Sequence, residues 1–203
     1  CIRDRCLNPN MSDSPIEFST AVGRGRSRGF LWWATVGLLA HVVLVAALIL
    51  SGHDPAWFLH LGRMARATGL AHRVLGWNVT VPQVDGHDGQ EFWVLARDPL
   101  LVGVKSIRPY LDRPAYRADR VGYPLLAAPW RLAGEYALLW GMIATNLLSV
   151  WFGTLAAVRL ARAIGAPERS ALTFALCPGV IAATALDVAD GLALALVLVV
   201  LLG

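Results

Sequence analysis

Hydrophobic and polar positions along this chain fall into long blocks rather than short alternations. The run "GFLWWATVGLLAHVVLVAALILS" at 29–51 holds no Asp, Glu, Lys or Arg. As a helix it is long enough to cross a hydrocarbon core of ~30 Å. The run "ALLWGMIATNLLSVWFGTLAAV" at 137–158 has the same property. "SALTFALCPGVIAATAL" at 170–186 reads as a third crossing, broken at Pro178-Gly179, a pair tolerated where neighbouring helices re-satisfy the backbone. "DVADG" at 187–191 turns the chain, and 192–202 begin a fourth apolar run. The pattern predicts an all-α integral membrane protein with about four transmembrane helices and a large extracytoplasmic first loop containing amphipathic helices.

Charge at the block edges orients the prediction. Arg24, Arg26 and Arg28 precede the first run, and Arg159, Arg162 and Arg169 follow the second with only Glu168 opposing. Both edges read as cytoplasmic, with Trp32 and Trp33 near that interface. A cleaved signal peptide shares the basic flank, but its apolar region is about 7–15 residues, so a retained helix is expected here. The expected organisation is a polar cytoplasmic segment at 1–28, transmembrane helix 1 at 29–51, an extracytoplasmic loop at 52–135, and helices 2 to 4 at 136–203, the last truncated. That loop is itself rich in arginine, which does not decide against the topology because the charge rule weakens beyond about 60 residues. Met11 before "SDSP" reads as a natural start, and the chain reads as the N-terminal portion of something longer.

Within the loop, "PAWFLHLGRMARATGLAHRVLGW" at 55–77 sets Trp57, Leu61, Met64 and Ala65 at helical spacing, with Arg63 and Arg66 on another face. That predicts an amphipathic helix lying along the membrane. "YPLLAAPWRLAG" at 123–134 reads as a re-entrant segment or the start of a helix rather than a full span. His41, inside the first run, reads as a neutral histidine bonded to a neighbouring helix.

Candidate chemistry concentrates in "VDGHDGQEFWVLARDPL" at 84–100. Asp88, followed three residues later by Glu91, reads either as the N-cap of a helix from about Gly89 to Arg97 or as a working carboxylate. Such a helix turns Phe92, Trp93 and Ala96 toward the membrane or core. Asp85, His87 and Asp88 match neither a calcium loop nor a zinc signature, so no metal site and no cofactor is assigned, a divalent cation being the minor alternative. In "YLDRPAYRADRVGYPLL" at 110–126, Arg117 and Arg120 share a helical face near Tyr116 and Tyr123. Guanidinium groups grip phosphate with two prongs; the alternatives are lipid headgroups or pairing with Asp112 and Asp119. Asp187 and Asp190 mark a water interface or cap the next helix.

Composition agrees with a membrane protein. Of 203 residues, 56% are hydrophobic and 16% charged, against roughly 25% charged in soluble domains. Arginines at membrane edges account for the net charge of +4, and no nucleic-acid motif is present, so no nucleic-acid partner is expected. Three cysteines define no framework. No Ser-His-Asp order or nucleotide-binding glycine loop is visible.

At "GHDGQEFWVLARDP" followed by "PAYRADRVGYPLLAAPW" the chain resembles the GT-C glycosyltransferase superfamily of polytopic membrane proteins. Their first outer loop runs aspartate-glycine-glutamine-aromatic, alanine-x-aspartate-proline, then tyrosine-arginine-x-x-arginine-x-x-tyrosine-proline. The resemblance implies transfer of a sugar from a polyprenyl-phosphate donor in the bilayer to an acceptor of unspecified identity outside the cell membrane. It implies Asp88 as general base, Asp85 as its assistant or substitute, Arg117 and Arg120 on the lipid phosphate, and Gln90, Tyr116 and Tyr123 as substrate contacts. Glu91 and Phe92 stand where paired aromatics are common, a departure from the pattern. The alternative function is a non-catalytic scaffold or accessory subunit of a cell-surface glycopolymer system. A transporter, suggested by the broken helix, finds no inverted repeat in support.

Overall fold

The computed structural model describes residues 27–76, 78–81, 85–100, 102 and 107–202. Nearly all of the expected cytoplasmic segment at 1–28 lies outside the described residues. Every regular element among the described residues is helical. Helix α1 spans Ser27–Leu50, α2 Arg66–Leu75, α3 Asp88–Ala96, α4 Pro114–Ala118 and α5 Gly122–Ala127. They are followed by α6 at Glu135–Ala163, α7 at Leu172–Ala175, α8 at Pro178–Ala185 and α9 at Asp190–Val200.

Among the described residues, two helices are long and apolar enough to cross a membrane, Gly29–Leu50 and Glu135–Ala163. A third crossing exists if the pair Glu168–Ala175 and Pro178–Leu186, bent by 46°, counts as one broken span. The fourth run is the shorter apolar helix α9, of 11 residues.

The long helices pack through small residues. A Cβ on Gly37 of α1 would lie 2.9 Å from the Ala175 methyl and 3.2 Å from Thr154 Oγ1, so α1 approaches α6 and α7 closely only because that side chain is absent. His41, buried, ties the bend together. Pro178 has no N–H, and the chain turns away before Gly179 can reach back, so the Ala175 carbonyl needs another donor. His41 Nε2 supplies it at 2.8 Å, and Nδ1 meets Thr184 Oγ1 at 2.8 Å. A carbonyl only accepts, so Nε2 carries the hydrogen. The expectation of a histidine bonded to a neighbouring helix therefore holds.

One end of the bundle is marked by Arg159 and Arg162, each 5.3 Å from the Phe30 ring, and by the 2.8 Å ion pair of Arg162 with Glu168. At the other end, residues of the 52–135 segment build their own core over the start of α6. Phe92, Trp93, Val94, Leu95 and Ala96 of α3 are all buried, enclosed by Leu59, Leu61, Ala67, Leu70, Ala71, Leu111, Tyr123, Leu138, Leu139 and Met142. A helix buried on every side is held by packing, so Phe92, Trp93 and Ala96 face protein rather than lipid.

The amphipathic helix expected at 55–77 is corrected. A 3-10 turn, Pro55–Leu59, is capped by Asp54, whose Oδ1 accepts from Trp57 N at 3.0 Å. His60 then takes a left-handed φ of 46° and ends it. Helix α2 begins only at Arg66, with Met64 exposed and Leu61 buried. Burial of Ala56, Phe58 and Leu59 on one side and Ala67, Leu70 and Ala71 on the other requires a kink that a straight helix lacks. The 123–134 segment forms α5 and a 3-10 turn, Ala128–Ala133, leading into α6.

Candidate functional site

The site is built on the first turn of α3. Gly89 sits where a Cβ would lie 2.6 Å from the Leu186 carbonyl oxygen, so glycine lets the start of α3 press against the turn after α8. Gln90 fixes the other side. Its Oε1 accepts from Gly62 N at 3.1 Å and its Nε2 donates to Asp85 O at 3.5 Å, tying two loops to the helix. Gln90 is buried, so both ends of its amide are used within the protein.

A cleft of about 400 Å³ opens beside this turn, lined among others by Asp85, His87, Asp88, Glu91, Asp112 and Arg117. Arg117 is its hub. Nη1 lies 2.7 Å from Asp88 Oδ1, while Nε and Nη2 donate to the two oxygens of Asp112 at 2.9 and 3.1 Å. Arg120 Nη1 lies 3.3 Å from Asp88 Oδ2. Both guanidinium groups lie over the Tyr116 ring, at 5.4 and 4.5 Å from its centre.

Asp88 is not the N-cap. That position belongs to His87, without a side-chain cap, and Asp88 is the first helical residue. No capping box forms either, because Glu91 turns away to accept from Asp112 N at 3.3 Å. The arginines supply the reason: charge-assisted pairs are stronger than a cap bond, so the Asp88 carboxylate leans outward to them. An acidic first turn still suits the positive end of the helix dipole.

Electrostatics divide the carboxylates. The hydrogen bonds from Arg117 hold Asp112 below the usual carboxylate range. Burial works against the Arg117 charge, but its bonds to Asp112 and Asp88 outweigh that and raise it. Glu91 moves the opposite way, pushed up to about 7 by burial first and then by the neighbouring Asp112 charge. Beside the cleft, the His60 and His87 rings meet edge to face with centres 5.6 Å apart, and burial followed by His87 lowers His60.

The structure thus brings Asp85, Asp88, Gln90, Arg117, Arg120 and Tyr116 around one cleft or its rim. Tyr123 is elsewhere, fully enclosed below α3. Its hydroxyl lies 2.5 Å from Asp187 Oδ1 and 2.9 Å from the Met142 carbonyl, and accepts from Asn146 Nδ2 at 2.9 Å. Asn146 Nδ2 also donates to Asp187 Oδ1 at 2.9 Å. Asp187 is buried at a φ of 51°, which corrects its reading as a marker of the water interface. Asp190 lies in the first turn of α9, whose N-cap is Ala189.

Two residues of the cleft carried little weight in the sequence. Asp112 entered only as one alternative partner for the arginines, and Glu91 as a capping partner. The available signal for Glu91 was its spacing, since residues three apart share a helical face. Comparison of the chain with protein families, with curated proteins and with solved structures returned no match.

Proposed function

We propose that this chain belongs to a multi-pass cell-membrane glycosyltransferase. In this reading it moves a sugar from a polyprenyl-phosphate donor to a hydroxyl-bearing acceptor on the extracytoplasmic side. The observation that carries the reading is the Asp88–Arg117–Arg120 cluster in a cleft at the end of the helix bundle opposite Arg159 and Arg162. A transfer from a lipid phosphate needs a carboxylate to take the acceptor proton as the new bond forms. It also needs cations where charge collects on the departing phosphate. Both kinds of group meet here within ion-pair distance. The donor's tail stays in the bilayer, so no nucleotide-binding loop is required. Asp88 stands at the motif position for the proton acceptor.

The deciding experiment places the full-length protein in liposomes with a polyprenyl-phosphate-linked sugar and follows transfer to an acceptor. Asp88→Asn is expected to slow turnover by at least about 100-fold. Unchanged turnover removes Asp88 from the reaction, and a wild-type protein that transfers nothing favours the accessory-subunit reading.

A further inference from the structure

Glu91 is the cleft carboxyl whose surroundings do not explain its presence. It is only 3% exposed, yet it lines the cleft. Its Oε2 accepts the Asp112 N–H. Among the described residues no donor meets Oε1, and no Arg, Lys or His lies within ion-pair distance of the carboxyl. Asp88 differs in kind: each of its oxygens faces a guanidinium, Oδ1 on Arg117 and Oδ2 on Arg120. Both Asp88 oxygens are thus engaged in positioning the two guanidinium groups. The two carboxyls are three residues apart on α3 and therefore address the same cleft.

We propose that Glu91 is the acid–base group of this cleft, taking the proton of a hydroxyl-bearing ligand at Oε1, while Asp88 holds Arg117 and Arg120 in place. This rests on the transfer reading and, within it, moves the proton-accepting role from the motif position Asp88 to Glu91. The acceptor's O–H bond breaks, its proton bonds to Glu91 Oε1, and the electron pair left on oxygen forms the bond to the anomeric carbon. The bond from that carbon to the phosphate oxygen breaks, and its electron pair leaves on the phosphate beside Arg117 and Arg120. Glu91 then releases its proton to water in the cleft. The groups facing Glu91 are Asp88 from its own helix, Asp112 from the preceding loop and Arg117 from α4; burial and the two carboxylates outweigh the Asp112 amide and Arg117. A base half ionised near neutral pH is both available and strong enough to act.

The experiment compares wild type, Glu91→Gln and Asp88→Asn in the full-length protein, reading kcat, KM and their pH dependence. In parallel, infrared spectroscopy follows protonated carboxyl bands as pH is varied. Glutamine keeps the acceptor for the Asp112 amide. The expected result for Glu91→Gln is a kcat lower by at least about 100-fold, a KM within about twofold, and loss of the rate limb near neutral pH. Asp88→Asn slows the reaction but keeps that limb. A carboxyl band titrating near neutral pH is expected in wild type and Asp88→Asn and absent from Glu91→Gln. The proposal is overturned if Glu91→Gln retains the limb, or if no titrating band disappears with it. Should the wild type transfer no sugar, the transfer reading fails, and the infrared comparison alone decides whether Glu91 holds the exchangeable proton.

Discussion

Replacing Tyr123 by phenylalanine removes a single oxygen from the contact between the loop core and the spans. The ring stays packed edge to face on Phe92, with centres 5.6 Å apart, so no large cavity opens. What disappears is one donated hydrogen bond, to Asp187 Oδ1 at 2.5 Å or the Met142 carbonyl at 2.9 Å, and one accepted bond from Asn146 at 2.9 Å. Asp187 and Asn146 remain bonded to each other at 2.9 Å. A buried donor bond to a carboxyl contributes about 1.5–3 kcal/mol and a neutral bond about 0.5–1.5 kcal/mol, so the loss should be roughly 2–4 kcal/mol. For a chain of this size, each kcal/mol moves the midpoint by about 2–4 °C, which predicts a fall of roughly 4–16 °C. Tryptophan fluorescence of detergent-solubilised protein during heating reads this out. Tyr136→Phe, at a position 52% exposed, is the control and should melt with the wild type. Double substitution with Asp187→Ala should cost less than the sum of the single effects by about 1 kcal/mol or more. A Tyr123→Phe midpoint within about 1 °C of the wild type would refute the buried network.

Two further outcomes follow from the same reasoning. Glu91 has a folded-state pKa raised from 4.5 to about 7. The folded protein therefore binds more protons than the unfolded chain between those values, and stability falls as pH rises through that window. The full effect is at most about 3 kcal/mol. Glu91→Gln should remove it, so denaturant midpoints measured at pH 5 and pH 8 should differ less in the variant than in wild type. Equal pH dependence in both proteins would count against the burial of this carboxyl. His41→Phe keeps most of the side-chain volume but leaves the Ala175 carbonyl and Thr184 without their ring partner. It should destabilise the protein by about 1–3 kcal/mol, read as a lower thermal midpoint in detergent. An unshifted midpoint would mean that the bend finds another donor.

Much of the helical layout could be read from one dimension. The block at 29–51 carries no charge, so a long apolar helix follows from length and composition, and the same holds for 137–158. The break at Pro178 was equally local, because a residue without an N–H interrupts a helix wherever it stands. The shared helical face expected for Arg117 and Arg120 does not form, because α4 ends at Ala118 and Arg120 follows in a turn, yet their closeness in sequence was legible and both reach Asp88. These features depend on neighbours within a turn or two, and sequence order supplies those neighbours.

Tertiary structure decided the rest. Whether Asp88 caps α3 or faces arginines depends on where residues 117 and 120 lie, 29 and 32 positions further on. The straight helix expected at 55–77 kinks because its two apolar sets meet different surfaces of the core, Phe58 against Val45 and Ile143 and α2 against α3. Tyr123 leaves the candidate site for the interior because Asp187 and Asn146, 64 and 23 residues away, hold its hydroxyl there. Glu91 acquires its character from burial against a loop that begins some twenty residues later. The physical reason is common to all four. Local propensity sets the geometry of the backbone, whereas the environment of a charge is set by whatever the packed chain brings beside it, and that distance is not encoded in sequence spacing.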